Sequence, residues 1–268
     1  MKPSVLMCAP GYFGVRYAIN PWMEGQIGQV DPTLAVRQWT DFYDILRGQA
    51  DIHLIDSHPH VPDLVFTANA GLMIDGHFIP SRFKHEERRR EEPLFREWFK
   101  ARSARHTPLP KNLFFEGAGD ALLQPGRNLL WAGYGFRTDR ETHQFLAEQL
   151  ELEVVSLHLI HPSFYHLDTC LCPLPDDQVM YYPAAFDAAS LKTIEAHVRP
   201  ENRIIVSEED ALHFACNAVL VDRVLFMNHA SPELIQLLEQ KGYTPVIQPV
   251  SEFLKAGGAN KCLTLALA

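Results

Sequence analysis

The feature that most constrains the fold of this sequence is a pattern of secondary structure that recurs along it. Turn residues and apolar stretches predict a unit of a β-hairpin, a helix and a further strand, repeated about every 50 residues. Five such units fit the 268-residue chain. A doubly wound sheet would not need so many hairpins, and no Gly-x-Gly-x-x-Gly motif follows the first strand. We therefore expect an α/β fold in which five ββαβ units close into a ring.

Local signals place individual elements within this pattern. Thr138 and Glu141 have the spacing of a capping box, which predicts that a helix begins there. The apolar run 64–66 is predicted to be a strand that leads to Asn69 at a turn, where asparagine is common. The run of arginines at 88–90 lies in a highly charged stretch, which is typical of a solvated face.

Composition bounds the class of protein. No linker or shift in composition divides the chain, so we expect a single domain over residues 1–268. Hydrophobic residues make up 47% and charged residues 21%, which is typical of a soluble globular protein. The net charge of −9 argues against nucleic acid as the main partner. No apolar run approaches the roughly 20 residues of a membrane span. An odd count of 5 cysteines indicates reduced thiols in a cytoplasm.

A glycine pair followed by a cysteine is the strongest candidate for chemistry. Gly257 and Gly258 precede Cys262, which we predict to lie where a loop enters a strand. Paired glycines let the backbone approach a ligand closely, and such loops often carry reactive side chains. A thiol needs a base or a cationic neighbour to become a thiolate at neutral pH. Cys262 is the candidate nucleophile, and a small buried core residue is the alternative use of this cysteine.

Two further stretches supply an imidazole and two carboxylates. His166 and Asp168 are two residues apart, so on a strand they would face the same side, and Glu116 precedes a glycine-rich turn. Together with Cys262 they suit covalent attack on an electrophilic carbon. Carboxylates make a poor oxyanion hole but accept the N–H donors of a guanidinium in pairs. The set therefore favours attack on the carbon of a guanidinium, whose charge would help to hold the thiolate.

Metal binding is the competing use of cysteine and histidine. Cys170 and Cys172 are separated by one residue, whereas zinc sites prefer pairs separated by two to four residues and a second matching pair. The 13 histidines form no His-Glu-x-x-His pattern. We therefore expect no metal and no organic cofactor, and we predict that both cysteines pack in the core of one strand.

The sequence resembles the guanidine-modifying enzyme superfamily in four motifs that occur in the same order and spacing. That superfamily includes arginine deiminases, dimethylarginine dimethylaminohydrolases and amidinotransferases. Two longer strings resemble the catalytic module of cyanobacterial-type arginine dihydrolases. The resemblance implies a five-bladed α/β propeller with its site at the central pore. The motifs are Phe66-Thr-Ala-Asn-Ala-Gly71, Phe115-Glu-Gly-Ala-Gly-Asp120, His166-Leu-Asp168 and Gly257-Gly-Ala-Asn-Lys-Cys262, and the longer strings are Asn20-Pro-Trp-Met-Glu-Gly25 and Gly133-Tyr-Gly-Phe-Arg137.

The resemblance also implies roles for individual residues. Cys262 would be the nucleophile and His166 the general acid and base, while Glu116 and Asp168 would clamp the guanidinium. Arg88 and Arg137 would bind the substrate α-carboxylate, although surface salt bridges explain these arginines equally simply. The other candidate substrate-binding residues are Asn20, Asp63 and Asn69.

Asn69 is a departure from the arginine deiminases, which usually carry aspartate at this position. A neutral amide donates and accepts hydrogen bonds, so it could hold citrulline for a second attack, and asparagine is typical of the dihydrolases. We therefore expect hydrolysis of L-arginine to L-ornithine, CO2 and two NH3.

Three other functions stay open. Two are the activities of a dimethylarginine dimethylaminohydrolase, which would take a methylated arginine, and of an arginine deiminase. The third is a non-catalytic binder of an amino acid. A homo-oligomer is also compatible with the sequence, because dimers are common among soluble enzymes.

Overall fold

The computed structural model describes residues 2–102 and 104–267. The predicted domain, 1–268, also takes in residues 1, 103 and 268, which lie outside the described residues, and its unity stays a prediction. The described helices are α1 (Pro32–Leu46), α2 (Glu91–Lys100), α3 (Thr142–Leu150), α4 (Ala188–His197), α5 (Glu208–Leu212), α6 (Pro232–Gln240) and α7 (Ser251–Leu254). The described strands are β1 (Ser4–Cys8), β2 (Asp51–Ile55), β3 (Gly71–Ile74), β4 (His77–Pro80), β5 (Arg105–His106), β6 (Ala121–Leu123), β7 (Leu129–Tyr134), β8 (Glu153–His158), β9 (Leu171–Leu174), β10 (Gln178–Tyr181), β11 (Arg203–Ile205), β12 (Val219–Val221), β13 (Val224–Met227), β14 (Thr244–Ile247) and β15 (Leu265–Ala266).

These strands form five sheets of three strands, which we call blades. In four blades the strands follow each other in the chain, as in β3-β4-β5, with an antiparallel pair followed by a parallel pair. In the fifth blade β15 pairs antiparallel with β1, with Val5 opposite Ala266, and β1 pairs parallel with β2. The first and last strands therefore share one blade and close the ring. The predicted five-bladed α/β propeller is confirmed.

A helix links the two parallel strands of every blade, because parallel neighbours need a long crossover. Helix α1 begins where the side chain of Asp31 accepts hydrogen bonds from two backbone N–H groups, with Pro32 in its first turn. Its buried face carries Trp39, Phe42 and Leu46. These side chains belong to the same apolar cluster as residues of β1 and β13. Among the described helices, none is long and apolar enough to cross a membrane.

A short turn precedes the first strand of each blade. Three of these turns are 3₁₀ helices, Thr67–Ala70, Gly117–Gly119 and Leu167–Thr169, and the other two are turns at 214–217 and 261–263. They meet near the centre of the ring, where Ala68 N donates to Cys262 O at 3.1 Å. The propeller thereby brings five distant parts of the sequence together.

The strand predicted at 64–66 is wrong. Pro62–Val65 is a 3₁₀ helix and Thr67–Ala70 is a second one. The backbone N–H of Phe66 donates to Asp63 O at 2.9 Å, so its hydrogen bond is local. A short apolar run is compatible with any fully buried segment, and its length does not identify a strand.

The predicted capping box is also wrong, because α3 begins at Thr142. The hydroxyl of Thr138 instead donates to Asp120 Oδ2 at 2.6 Å and accepts from Glu116 N at 3.1 Å. These partners come from the neighbouring turn at the centre of the ring. Tertiary contacts therefore take the side chain that the local pattern assigned to a helix end.

Candidate active site

A small cavity lies among the central turns. Its volume is about 10 Å³, which is room for about one water molecule. This volume is smaller than a molecule as large as an amino acid. The wall contains seven of the nine predicted site residues, namely Asn20, Asp63, Asn69, Arg88, Arg137, His166 and Cys262, together with Ile19, Met23, Phe66, Tyr165 and residues 256–258. Glu116 and Asp168 are buried and contact members of this wall.

Cys262 lies in the turn 261–263, where the chain enters β15. Its thiol donates to Asp168 Oδ2 at 3.5 Å, and Sγ accepts from Asn217 Nδ2 at 3.2 Å. The backbone N–H of Cys262 donates to Asn217 Oδ1 at 3.1 Å. Burial raises the pKa of the Cys262 thiol above its ordinary value, and the charge of Asp168 raises it further. The thiol is therefore protonated at neutral pH unless a cation lies beside it.

Asp168 belongs to a 3₁₀ helix, so the strand predicted through 166–168 is wrong. His166 has an extended backbone and precedes this helix. Burial raises the pKa of Asp168 to about 7, while Lys261 and the hydrogen bond from Cys262 act in the opposite direction. His166 and Asp168 have different partners, because His166 contacts Glu116 whereas Asp168 contacts the thiol.

Glu116 is a fully buried anion whose carboxylate has three partners, and its Oε1 atom accepts from the backbone N–H of Lys84 at 3.3 Å. Its Oε2 atom lies 2.8 Å from His166 Nε2 and 3.0 Å from Arg137 Nη1. Burial alone would raise the pKa of Glu116, but Arg137 and the hydrogen bond with His166 outweigh it and hold this pKa well below its ordinary value. Arg137 also donates to Ile19 O at 3.0 Å and lies over the ring of Tyr165, 4.6 Å from its centre. Arg137 thereby holds Glu116 in place, and the contact of Glu116 with Nε2 fixes the orientation of the His166 imidazole.

Arg88 is buried, whereas Arg89 and Arg90 are exposed as the charged stretch predicted. The expectation of a solvated face is therefore wrong for Arg88, which is only 4% exposed. Its guanidinium donates to both carboxylate oxygens of Glu91, at 2.9 and 2.7 Å. Because a buried charge must be paired, Glu91 explains why this arginine can be buried.

Asn69 links Arg88 to Glu116. Its Oδ1 accepts from Arg88 Nη1 at 2.9 Å, and its Nδ2 donates to the backbone carbonyl of Glu116 at 3.1 Å. The amide is thus held from both sides. Asn69 lies on the cavity wall in a fixed orientation.

Asp63 has one oxygen available to a ligand. Its Oδ2 accepts from the hydroxyl of Tyr17 at 2.8 Å. Its Oδ1 is buried and has no hydrogen-bond partner in the part of the chain that the structure describes. A buried acceptor without a donor costs free energy, so this oxygen favours a ligand that donates a hydrogen bond.

The side chain of Asn20 stabilises the turn at 20–23, which lines one side of the cavity. Its Oδ1 accepts from the backbone N–H groups of Trp22 and Met23 at 2.9 and 3.2 Å. Its Nδ2 donates to Ala256 O at 3.1 Å. Asn20 therefore ties two segments of the cavity wall together.

Asn217 is a residue of this site that sequence reasoning missed. It holds both the sulfur and the backbone of Cys262 and donates to Asp168 O at 3.0 Å. Its place in the repeat was a usable signal. Asn69 lies two residues before β3, and Asn217 lies two residues before β12.

Replacement of Asn217 by aspartate is expected to lower the reactivity of the thiol. The substitution removes the N–H donor to Sγ and adds a negative charge beside it, so the pKa of Cys262 rises further. The rate of alkylation by iodoacetamide, followed at Cys262 by peptide mass spectrometry across pH 6 to 10, should fall at every pH by at least about tenfold. Asn128→Asp on the exposed surface should match the wild type. An unchanged profile for Asn217→Asp would contradict this role.

Over the described ranges, no group of three or more histidine, cysteine, aspartate or glutamate side chains is placed to hold a metal ion. Cys170 and Cys172 are buried, and Cys172 lies on β9 while Cys170 precedes it.

Comparisons with known proteins agree with this geometry. The family model described as N,N dimethylarginine dimethylhydrolase, eukaryotic, matches residues 21–268. The bifunctional arginine dihydrolase/ornithine cyclodeaminase AgrE of Nostoc sp. is 51% identical over 260 residues, which cover 97% of this chain. The chain spans 37% of the length of that relative. The N(G),N(G)-dimethylarginine dimethylaminohydrolase of Mycobacterium tuberculosis is 38% identical over 97% of this chain and 84% of its own length.

A solved structure extends the comparison to the backbone. The N-terminal domain of ArgZ, an arginine dihydrolase from the ornithine-ammonia cycle in cyanobacteria, was solved with its substrate bound. It superposes with a TM-score of 0.98 at 47% identity, and the match covers 99% of this chain and 98% of that chain. The predicted superfamily is thus confirmed.

Proposed function

Because this chain belongs to the N,N dimethylarginine dimethylhydrolase family, we propose that it hydrolyses L-arginine through a covalent bond to Cys262. Two waters are consumed, and the products are L-ornithine, CO2 and two NH3. The observation that carries the proposal is a buried thiol held against Asp168 on the wall of a small cavity. Two other residues of that wall, His166 and Arg137, contact the anionic Glu116. Such a thiol needs a cation beside it to ionise, and a guanidinium supplies one.

Substrate binding would use the charges already present on the wall. Glu116 and Asp168 are proposed to accept N–H groups of the guanidinium. Asp63 Oδ1, which has no hydrogen-bond partner among the described residues, is proposed as a further acceptor for an N–H group of the substrate. Arg88 and Arg137 are proposed to bind the α-carboxylate, because both are buried cations on the wall. When the cation binds, the thiol loses its proton to solvent.

The first round would replace one nitrogen by oxygen. The sulfur of Cys262 attacks the guanidinium carbon, and His166 gives a proton to the nitrogen that leaves as NH3. The product is a thiouronium bonded to the enzyme. His166, now without that proton, takes one from water. The hydroxide attacks the same carbon, the C–S bond breaks, and citrulline is formed.

The second round would remove the remaining terminal nitrogen. The sulfur attacks the ureido carbon of citrulline, and His166 again protonates the departing NH3. Water then breaks the new C–S bond, and the released N-carboxyornithine loses CO2 to give ornithine. Asn69 is proposed to hold citrulline between the rounds, because its amide lies on the cavity wall in a fixed orientation. The amide is neutral, so, unlike an aspartate at this position, it suits the neutral ureido group of citrulline.

The test is incubation of the intact chain with L-arginine and separate quantification of ammonia, citrulline and ornithine. We expect two ammonia molecules for each ornithine and little citrulline at completion. Citrulline and ammonia accumulating in equal amounts would contradict the second round and leave a deiminase. The absence of any product would contradict the proposed activity.

A second candidate function is release of dimethylamine from a methylated arginine. It is favoured by the family model and by the relative from Mycobacterium tuberculosis. Parallel assays with L-arginine and asymmetric dimethylarginine discriminate the two. We expect the larger kcat/KM for L-arginine, because similarity is greater to the dihydrolase relative than to the dimethylaminohydrolase. The reverse order would select the second candidate.

A further inference from the structure

A second and larger cavity lies where the first strands of the five blades meet. Its volume is about 290 Å³. We call this second cavity the pore, and it is distinct from the active-site cavity described above. The second residue of the first strand of every blade lines it, so equivalent positions of the repeat form an apolar ring. These residues are Leu72, Leu122, Cys172, Leu220 and Ala266.

Lys261 is the single charged side chain among the residues that line the pore. Within residues 2–102 and 104–267, its ammonium group has neither a hydrogen bond nor a salt bridge. Lys261 is only partly exposed, and its side chain borders an apolar space. A cation in such a place favours an anionic partner, because charge in an apolar setting is costly unless it is paired.

We propose that the pore binds a small amphipathic anion, an aliphatic monocarboxylate whose chain occupies the apolar ring and whose carboxylate pairs with Lys261. The volume is close to the lower end of small-molecule sites and is lined mainly by apolar residues, as such sites are. The charge complementarity and the volume therefore both select a small ligand.

The turn 261–263 separates the pore from the active-site cavity. Lys261 lines the pore, while the adjacent Cys262 lines the cavity. Lys261 N donates to Asn217 O at 3.2 Å, and the side chain of Asn217 holds Cys262. An anion on Lys261 would reduce the positive potential at the thiol and lower turnover without competing with substrate. This second effect rests on the proposed function, whereas binding in the pore does not.

Binding is tested by isothermal titration calorimetry of the intact chain with octanoate, and with octanol as the uncharged probe. We expect saturable binding of one octanoate per chain and binding of octanol at least about tenfold weaker, because the charged hydrogen bond to Lys261 is lost. Lys261→Met should weaken octanoate binding by a similar factor. Lys192→Met, an exposed lysine outside the pore, should bind as the wild type does.

A variant at the rim keeps the test valid if Lys261→Met fails to fold. Leu123 lines the pore and is 41% exposed, so Leu123→Asp should repel octanoate and weaken its binding. Three results would overturn the proposal: no saturable heat with wild-type protein, equal affinity for octanoate and octanol, or a concentration-dependent dimer that Leu123→Asp dissociates. The last result would mean that a second copy of the chain occupies the pore. Octanoate binding in a protein that leaves arginine intact would contradict only the proposed function.

Discussion

Cys262→Ser is expected to lose at least about a thousandfold in kcat on L-arginine, because loss of a catalytic nucleophile has effects of this size or larger. A serine hydroxyl keeps nearly the same shape, but it is a far weaker nucleophile than a thiolate without an adjacent base. In the variant, the backbone N–H of residue 262 can still donate to Asn217 Oδ1, and the serine hydroxyl can still accept from Asn217 Nδ2. The measurement is turnover together with the affinity for arginine, which should change much less than kcat.

The matched control is Cys8→Ala, which removes another buried thiol that is not part of the cavity wall. Its kcat should stay within about twofold of the wild type, although some stability is lost with the side chain. Intact-protein mass spectrometry of a quenched wild-type reaction should also detect an adduct on Cys262. Turnover by Cys262→Ser at more than a few per cent of the wild-type rate would eliminate covalent catalysis by this residue.

His166→Ala is expected to reduce kcat by at least about a hundredfold, the lower end of what general acid–base catalysis contributes. Without the imidazole, neither departing nitrogen receives a proton and no base activates water. Glu116 keeps its ion pair with Arg137, so the wall of the cavity stays charged. Free imidazole added to the assay should restore part of the activity, since it can occupy the space of the missing ring.

His143→Ala is the control for this substitution. His143 is also buried, its Nδ1 lies 2.7 Å from Ser156 Oγ, and it is not part of the cavity wall. We expect a lower melting temperature with nearly unchanged kcat. Equal losses of kcat in the two variants, with no response of His166→Ala to imidazole, would show that the loss reflects folding and not proton transfer.

The repeat was predictable because each unit buries its own hairpin and helix and so leaves a local pattern of turns and apolar residues. The antiparallel pair β6–β7, which is the hairpin of one such unit, is an example of that pattern. The central turns were not predictable in the same way. Residues 62–70 are all buried, and the apolar run 64–66 within them does not separate a strand from 3₁₀ turns.

The candidate residues of the site were also accessible from the sequence, since thiol, imidazole and carboxylates occur in recognisable motifs, and seven of the nine candidates line one cavity. The partners of these groups were not accessible in this way. The residues that contact the motif residues lie far from them in the sequence: Asn217 is 45 positions from Cys262, and Tyr165 is 92 positions from Gly257. No local pattern records such a contact.

The sequence alone thus determined how many repeating units form the ring and indicated the candidate residues for chemistry, because both are written in residue types and in short-range periodicity. Only the tertiary structure decided what each charged group faces. It paired Glu116 with His166 and Arg137, placed Asp168 against the sulfur and buried Arg88 on Glu91. The physical reason is that the protonation of a buried group depends on burial and on charges a few ångströms away, and closure of the ring sets both.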